Sequence, residues 1–92
     1  MQTLTLKVIN EVGLHARPAA EFVKLATQFK SRIMIRNLTR ASAAVDAKSI
    51  LSVLVLGVEK DHEIELSSDG EDEIQAIQSL RELIESDFAG KA

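Results

Sequence analysis

The 92-residue chain contains no cysteine, which removes disulfides, thiolate metal sites and a cysteine nucleophile from consideration. It also lacks any apolar run near the ~20 residues that a membrane-spanning helix needs. Met1 to Ile9 alternates polar and apolar residues where a signal peptide would be continuously apolar, so a cytoplasmic protein without membrane insertion is expected. No repeat, linker or low-complexity segment interrupts the chain, and its length suits a single domain, 1–92, with a small core. The net charge of −3 argues against nucleic acid as the main partner.

What is present is 46 % hydrophobic and 27 % charged residues, the composition of an ordinary globular domain. The charges are unevenly spread along the sequence. From His15 to Lys48, seven cations face only Glu21 and Asp46, whereas the stretch from Glu59 onward is dominated by carboxylates. A basic surface around His15 would steer acidic partner proteins toward it; solvated side chains without a steering role are the alternative.

Periodicity supplies the elements. Thr3 to Val8 alternates as a half-buried strand does, and Ala19, Ala20, Phe22, Val23, Ala26 and Phe29 recur at helical spacing, predicting a helix over about 16–29. Strands are expected at 32–36, weakly at 43–45, and at 63–66. Asp46 is a candidate cap for a short helix ending at Val53, and Ser67–Gly70 is expected to break the chain. Ser68 or Asp69 would then cap a final helix over about 71–87, with Ile74, Ile77, Leu80, Ile84 and Phe88 along its inner stripe. The order βαββαβα describes an α+β fold, an antiparallel four-stranded sheet with three helices on one face.

One stretch carries chemistry: Gly13-Leu14-His15-Ala16-Arg17-Pro18-Ala19. It places His15 at or beside a helix N-cap and Pro18 in the first turn, where a missing N–H costs nothing. Gly13 can take the backbone angles of a sharp entry. The helix start offers unpaired N–H groups and partial positive charge, which suit an anion and disfavour an imidazolium. A neutral imidazole there could attack a phosphoryl group, and Arg17 could hold the product through paired hydrogen bonds. A helix that merely begins beside a histidine is the plainer reading of the same residues.

This heptapeptide resembles the active-site signature of HPr, the histidine phosphocarrier family of the bacterial phosphoenolpyruvate-dependent sugar phosphotransferase system. Lys48 to Gly57 is similar to the family's regulatory-serine helix, so the resemblance spans essentially the whole chain. It implies the open-faced β-sandwich of that family, and it implies a carrier more than an independent enzyme. The implied phosphoryl acceptor is His15 through Nδ1, with Arg17 as phosphate partner and the backbone N–H groups of Ala16 and Arg17 contacting the phosphate. Implied partners are phospho-enzyme I as donor and a sugar-specific enzyme IIA domain as acceptor; no metal or other cofactor is demanded. Ser49 corresponds to the serine that a dedicated kinase/phosphorylase modifies in Gram-positive-type members, although a capping serine has the same appearance. The implied docking surface comprises Ala20, Lys24, Lys48, Ile50, Leu51 and Leu54, of which Leu51 and Leu54 are expected to be exposed together.

Some positions depart from the family pattern. His15 and Ser49 stand 34 positions apart, a few more than usual, with the excess between Asn37 and Ala44. Val12 replaces a small polar residue and so removes a hydrogen bond near the active centre; Ser52 stands where glycine is frequent, and Val55 where a small polar residue is common. Two other readings remain: a paralogue in a nitrogen-linked or dihydroxyacetone-kinase-linked branch, and a module binding transcriptional regulators. His62 is expected to be a solvated turn residue.

Overall fold

The computed structural model describes residues 1–88. Its elements are β1 (Gln2–Lys7), α1 (Ala16–Ala26), β2 (Arg32–Asn37), β3 (Val45–Asp46), α2 (Ile50–Val55), β4 (Glu63–Asp69) and α3 (Glu73–Glu85). The four strands form one antiparallel sheet in the order β1-β4-β2-β3. Alternation in the strands turns Leu4, Leu6, Ile33, Ile35, Ile64 and Leu66 toward the helices, where Phe22, Val53, Leu80 and Ile84 complete the core. The opposite face is polar and cross-paired; Arg36 donates to its register neighbour Glu65 at 2.8 Å. This is the α+β open-faced sandwich that the sequence pattern and the family resemblance led us to expect.

Boundaries moved where tertiary contacts outweighed local signals. The first helix ends at Ala26 and not near Phe29: Thr27 donates its hydroxyl to the Lys24 carbonyl at 2.7 Å, and the next amides make tighter i→i−3 bonds. Ser67, Ser68 and Asp69 do not break the chain, because β1 and β2 pair with β4 on both sides at Ser67 and Ser68, and β2 continues the pairing to Asp69. Asp69 therefore ends a strand, and the cap position of α3 falls to Asp72. Its carboxylate reaches back across the sheet's end, accepting from the amides of Lys30 (2.8 Å) and Ser31 (2.9 Å) and from the Ser31 hydroxyl. Asp46 sits in β3, not at a helix start; it accepts from the Lys48 amide at 2.9 Å, and Ser49 is the cap of α2. On α3, Ile74 is exposed, and Ala76 takes the inner place expected of it.

The sequence reading of His62 is overturned as well. Its Nδ1 accepts from the Glu59 amide at 3.1 Å and meets Asn37 Nδ2 at 3.2 Å, while its carbonyl accepts from Val8 N–H. Asn37, fully buried, also donates to the Leu56 carbonyl at 3.1 Å and accepts from the Arg40 amide. A polar knot thus ties the 37–44 connection to the segment that follows α2.

Candidate functional site

The site is assembled by two loops laced together behind His15. Leu14, fully buried, donates its N–H to the Val58 carbonyl at 2.9 Å. Gly13 precedes it with φ +63°, and a Cβ at that position would overlap the Val58 carbonyl and stand 2.6 Å from Glu59 Cα. Only glycine permits this approach. Asn10 closes the turn by donating Nδ2 to the Gly13 carbonyl at 2.6 Å. With Leu14 anchored inward, the chain must present the next side chain at the rim.

That side chain is His15. It occupies the N-cap of α1 in extended conformation (φ −126°, ψ 162°) and spends neither ring nitrogen on a cap hydrogen bond. The residue is half-buried at this rim. Ala16 follows at φ +50°, a left-handed conformation that costs a non-glycine residue about 1–2 kcal/mol. This strain lies in the peptide joining the histidine to the helix, whose first amides have no partner within the helix. Pro18 sits in the first turn as expected.

Arg17 is exposed, and its Nε donates to Glu21 Oε2 at 2.9 Å, one turn along the helix. Exposed pairs of this kind contribute at most about 1 kcal/mol, so the guanidinium is easily released to another anion. Arg17 and Pro18 border a 290 Å³ depression with Asn10, Glu21 and Phe88. On the other flank, His15 lines an open 450 Å³ concavity with Glu11, Val12, Glu59 and Lys60. Lys60 Nζ donates to Glu11 Oε2 at 3.2 Å across it.

Of those four neighbours only Val12 was singled out from the sequence, as a departure near the active centre; Glu11, Glu59 and Lys60 were not legible as site residues. Glu11 and Val12 are four and three positions from His15 but lie outside the Gly13–Ala19 motif, and Glu59 and Lys60 arrive only through the Leu14–Val58 contact. Their presence corrects the expected division of charge. Ion pairs Lys60–Glu11, Arg40–Glu59 (3.8 Å) and Arg36–Glu65 mix the basic and acidic halves, and two carboxylates stand beside His15. Val12 is half-exposed and borders both depressions, an apolar stud between them.

The remaining positions singled out from sequence sit on two helices in mutual contact, α1 and α2. Ala20 and Lys24 are exposed on α1. Lys48 is half-buried and donates Nζ to the Phe29 carbonyl at 2.7 Å, which fastens α2's approach to the end of α1. Ser49 is half-buried, and its hydroxyl accepts a long bond, 3.4 Å, from the Ser52 amide. Ile50 and Leu51 are exposed, Leu51 to 72 %. Leu54, expected beside Leu51 on the outer face, packs against the core, and Val55 at 83 % exposure takes the outer place. A six-residue helix over a core turns i and i+3 apart enough for one to be buried. Among the described residues no cluster of His, Cys, Asp and Glu is arranged to hold a metal ion, and no helix is long and apolar enough to cross a membrane.

Comparison with known proteins agrees with this geometry. Residues 2–86 match the family model for the PTS HPr component phosphorylation site. The chain is 38 % identical over 84 residues to a phosphocarrier protein HPr of Neisseria meningitidis, covering 91 % of each. It is 45 % identical over 80 residues to a multiphosphoryl transfer protein of Haemophilus influenzae, of which it spans only 16 %. Its fold superimposes on crystalline HPr from Thermoanaerobacter tengcongensis with a TM-score of 0.92 at 41 % identity, over the full length of both chains. With its motif, fold and matched length in agreement, the chain belongs to the HPr family of the phosphotransferase system.

Proposed function

We propose that this chain is a cytoplasmic phosphocarrier that accepts a phosphoryl group on His15 from phospho-enzyme I and passes it to an enzyme IIA domain. The observation that carries the reading is the state of His15: half-exposed, at a helix start, with no cap hydrogen bond and with Arg17 beside it. The neutral ring attacks phosphorus through the lone pair of Nδ1 while its Nε2 keeps a proton. The P–N bond to the donor's histidine breaks as the new one forms, and its electron pair returns to the donor ring. If the donor ring enters protonated on its far nitrogen, it leaves as neutral imidazole and His15 becomes the phosphoimidazolium, so charge and protons balance without a separate base. One P–N bond replaces another, which keeps the exchange reversible.

Positioning and charge do the catalysis in such a transfer. The Ala16 and Arg17 amides supply donors at the positive end of α1, and Arg17 leaves Glu21 for the phosphoryl oxygens. Ile50, Leu51 and Val55, with Ala20 and Lys24, form an apolar surface with a basic edge suited to both partners. Ser49 is a second phosphorylation site, for a serine kinase using ATP; its phosphate would add about −1.5 to −2 charge beside that surface and hinder docking of acidic partners or recruit a regulator.

Incubation with phosphoenolpyruvate and enzyme I should label the wild-type protein, and adding enzyme IIA should discharge it. Label that stays on the chain when enzyme IIA is present would contradict the carrier role.

A further inference from the structure

Arg17 is one cation held on a carboxylate at the flank of His15; Lys60 is another on the opposite flank. Its Nζ lies 3.2 Å from Glu11 Oε2, and both side chains border the concavity that His15 lines. The lysine is 48 % exposed and the glutamate 85 %, so their pairing is screened and weakly held. Glu11 belongs to the loop after β1 and Lys60 to the loop before β4; the Leu14–Val58 hydrogen bond and the Asp61 N–H to Val8 carbonyl bond (2.7 Å) keep the loops in register. Glu59, the third charged group of this wall, faces Arg40 at 3.8 Å.

A phosphoryl group on His15 brings close to two negative charges into a wall that already holds two carboxylates. Glu11 and Glu59 repel it. Lys60 then has a choice between a single carboxylate in open solvent and a doubly charged group at the end of the same concavity. Coulomb attraction favours the latter, and the flexible four-carbon stem allows the exchange without backbone movement.

We propose that Lys60 is a second positioning cation of this site, which leaves Glu11 to pair with the phosphoryl group once His15 carries it, while Glu11 opposes that state. The inference rests on phosphorylation of His15 as described above. It makes the charge wall of Glu11, Glu59 and Lys60 a determinant of how readily this chain gives up its phosphoryl group. Lys60 attracts and holds; Glu11 competes for it and repels.

The test requires no partner protein. Potassium phosphoramidate, which phosphorylates histidine chemically, is used to label the wild type and the Lys60→Gln, Lys60→Arg and Glu11→Gln variants, and the phosphoryl group is titrated by phosphorus NMR. Loss of a cation from the concavity that His15 lines should raise the second ionisation of the phosphoryl group by roughly half a pH unit at low salt. Glu11→Gln should lower it, Lys60→Arg should leave it near the wild-type value, and added salt should shrink all differences. A merely structural lysine would give none of this pattern. Lys60→Gln titrating with the wild type at low salt overturns the inference while the carrier role stands. Failure of His15 to take the label at all overturns both.

Discussion

Replacing Gly13 by alanine tests the architecture that presents His15. At φ +63° an alanine pays about 1–2 kcal/mol for the left-handed conformation. Its Cβ would also overlap the Val58 carbonyl and come within 2.6 Å of Glu59 Cα, so the loops must part. Parting them strains or breaks the 2.9 Å Leu14–Val58 hydrogen bond, worth about 1 kcal/mol. Alanine's stiffer unfolded chain returns about 0.4–1 kcal/mol. The net loss is about 2 kcal/mol, or roughly 8–16 °C in melting temperature for a domain of this size. Gly57 is the internal control: it has nearly the same φ, +61°, but the nearest atom to its Cβ is the flexible Arg40 guanidinium at 3.3 Å. Gly57→Ala should therefore incur the dihedral cost without the overlap. Thermal unfolding followed by circular dichroism compares the two. If Gly13→Ala melts no lower than Gly57→Ala, the close approach of the two loops is not what holds His15 in place.

Two further outcomes concern the fold that carries the site. Ser68 is fully buried and its hydroxyl has no partner among the described residues, so Ser68→Ala should raise the melting temperature by a few degrees, and a fall would show that the hydroxyl is satisfied. Asp72 is held below the ordinary carboxylate range chiefly by the Ser31 hydroxyl and then the Lys30 amide; Glu73 is lowered by the Gly70 amide and the N-terminal ammonium. A lowered carboxylate stabilises the fold fully above the unfolded-state value near pH ~4 and progressively less as the pH falls through the folded value. Asp72→Asn should accordingly flatten the acid limb of stability against pH, and a limb of unchanged slope would remove Asp72 from the account.

Much of this molecule could be read before its fold was seen. The alternation in Thr3 to Val8 and in Glu63 to Leu66 gave strands, the spacing from Ala19 to Ala26 gave a helix, and the stretch from Gly13 to Ala19 put His15 at that helix's start. Those signals are local: each depends on side chains within a turn or two. What escaped depends on partners far along the chain. Ser67 to Asp69 has the composition of a turn but is held as strand, Ser67 and Ser68 by neighbours on both sides and Asp69 by β2. His62 has the flanks of a solvated residue, yet Asn37 and Glu59 N–H claim its ring. The exchange of Leu54 for Val55 at the surface follows from how α2 settles on the core. The charge wall beside His15 is the clearest instance, because Glu59 and Lys60 are more than forty positions away and only the loop contact at Gly13 brings them near.

The central claim is that the ring of His15 takes up a phosphoryl group, and the chemistry of the label tests it most directly. After reaction with phosphoenolpyruvate and enzyme I, the phosphoryl group should be labile in acid and stable in alkali, present in Ser49→Ala and absent in His15→Ala. An acid-stable label, or one that survives in His15→Ala, would contradict the account.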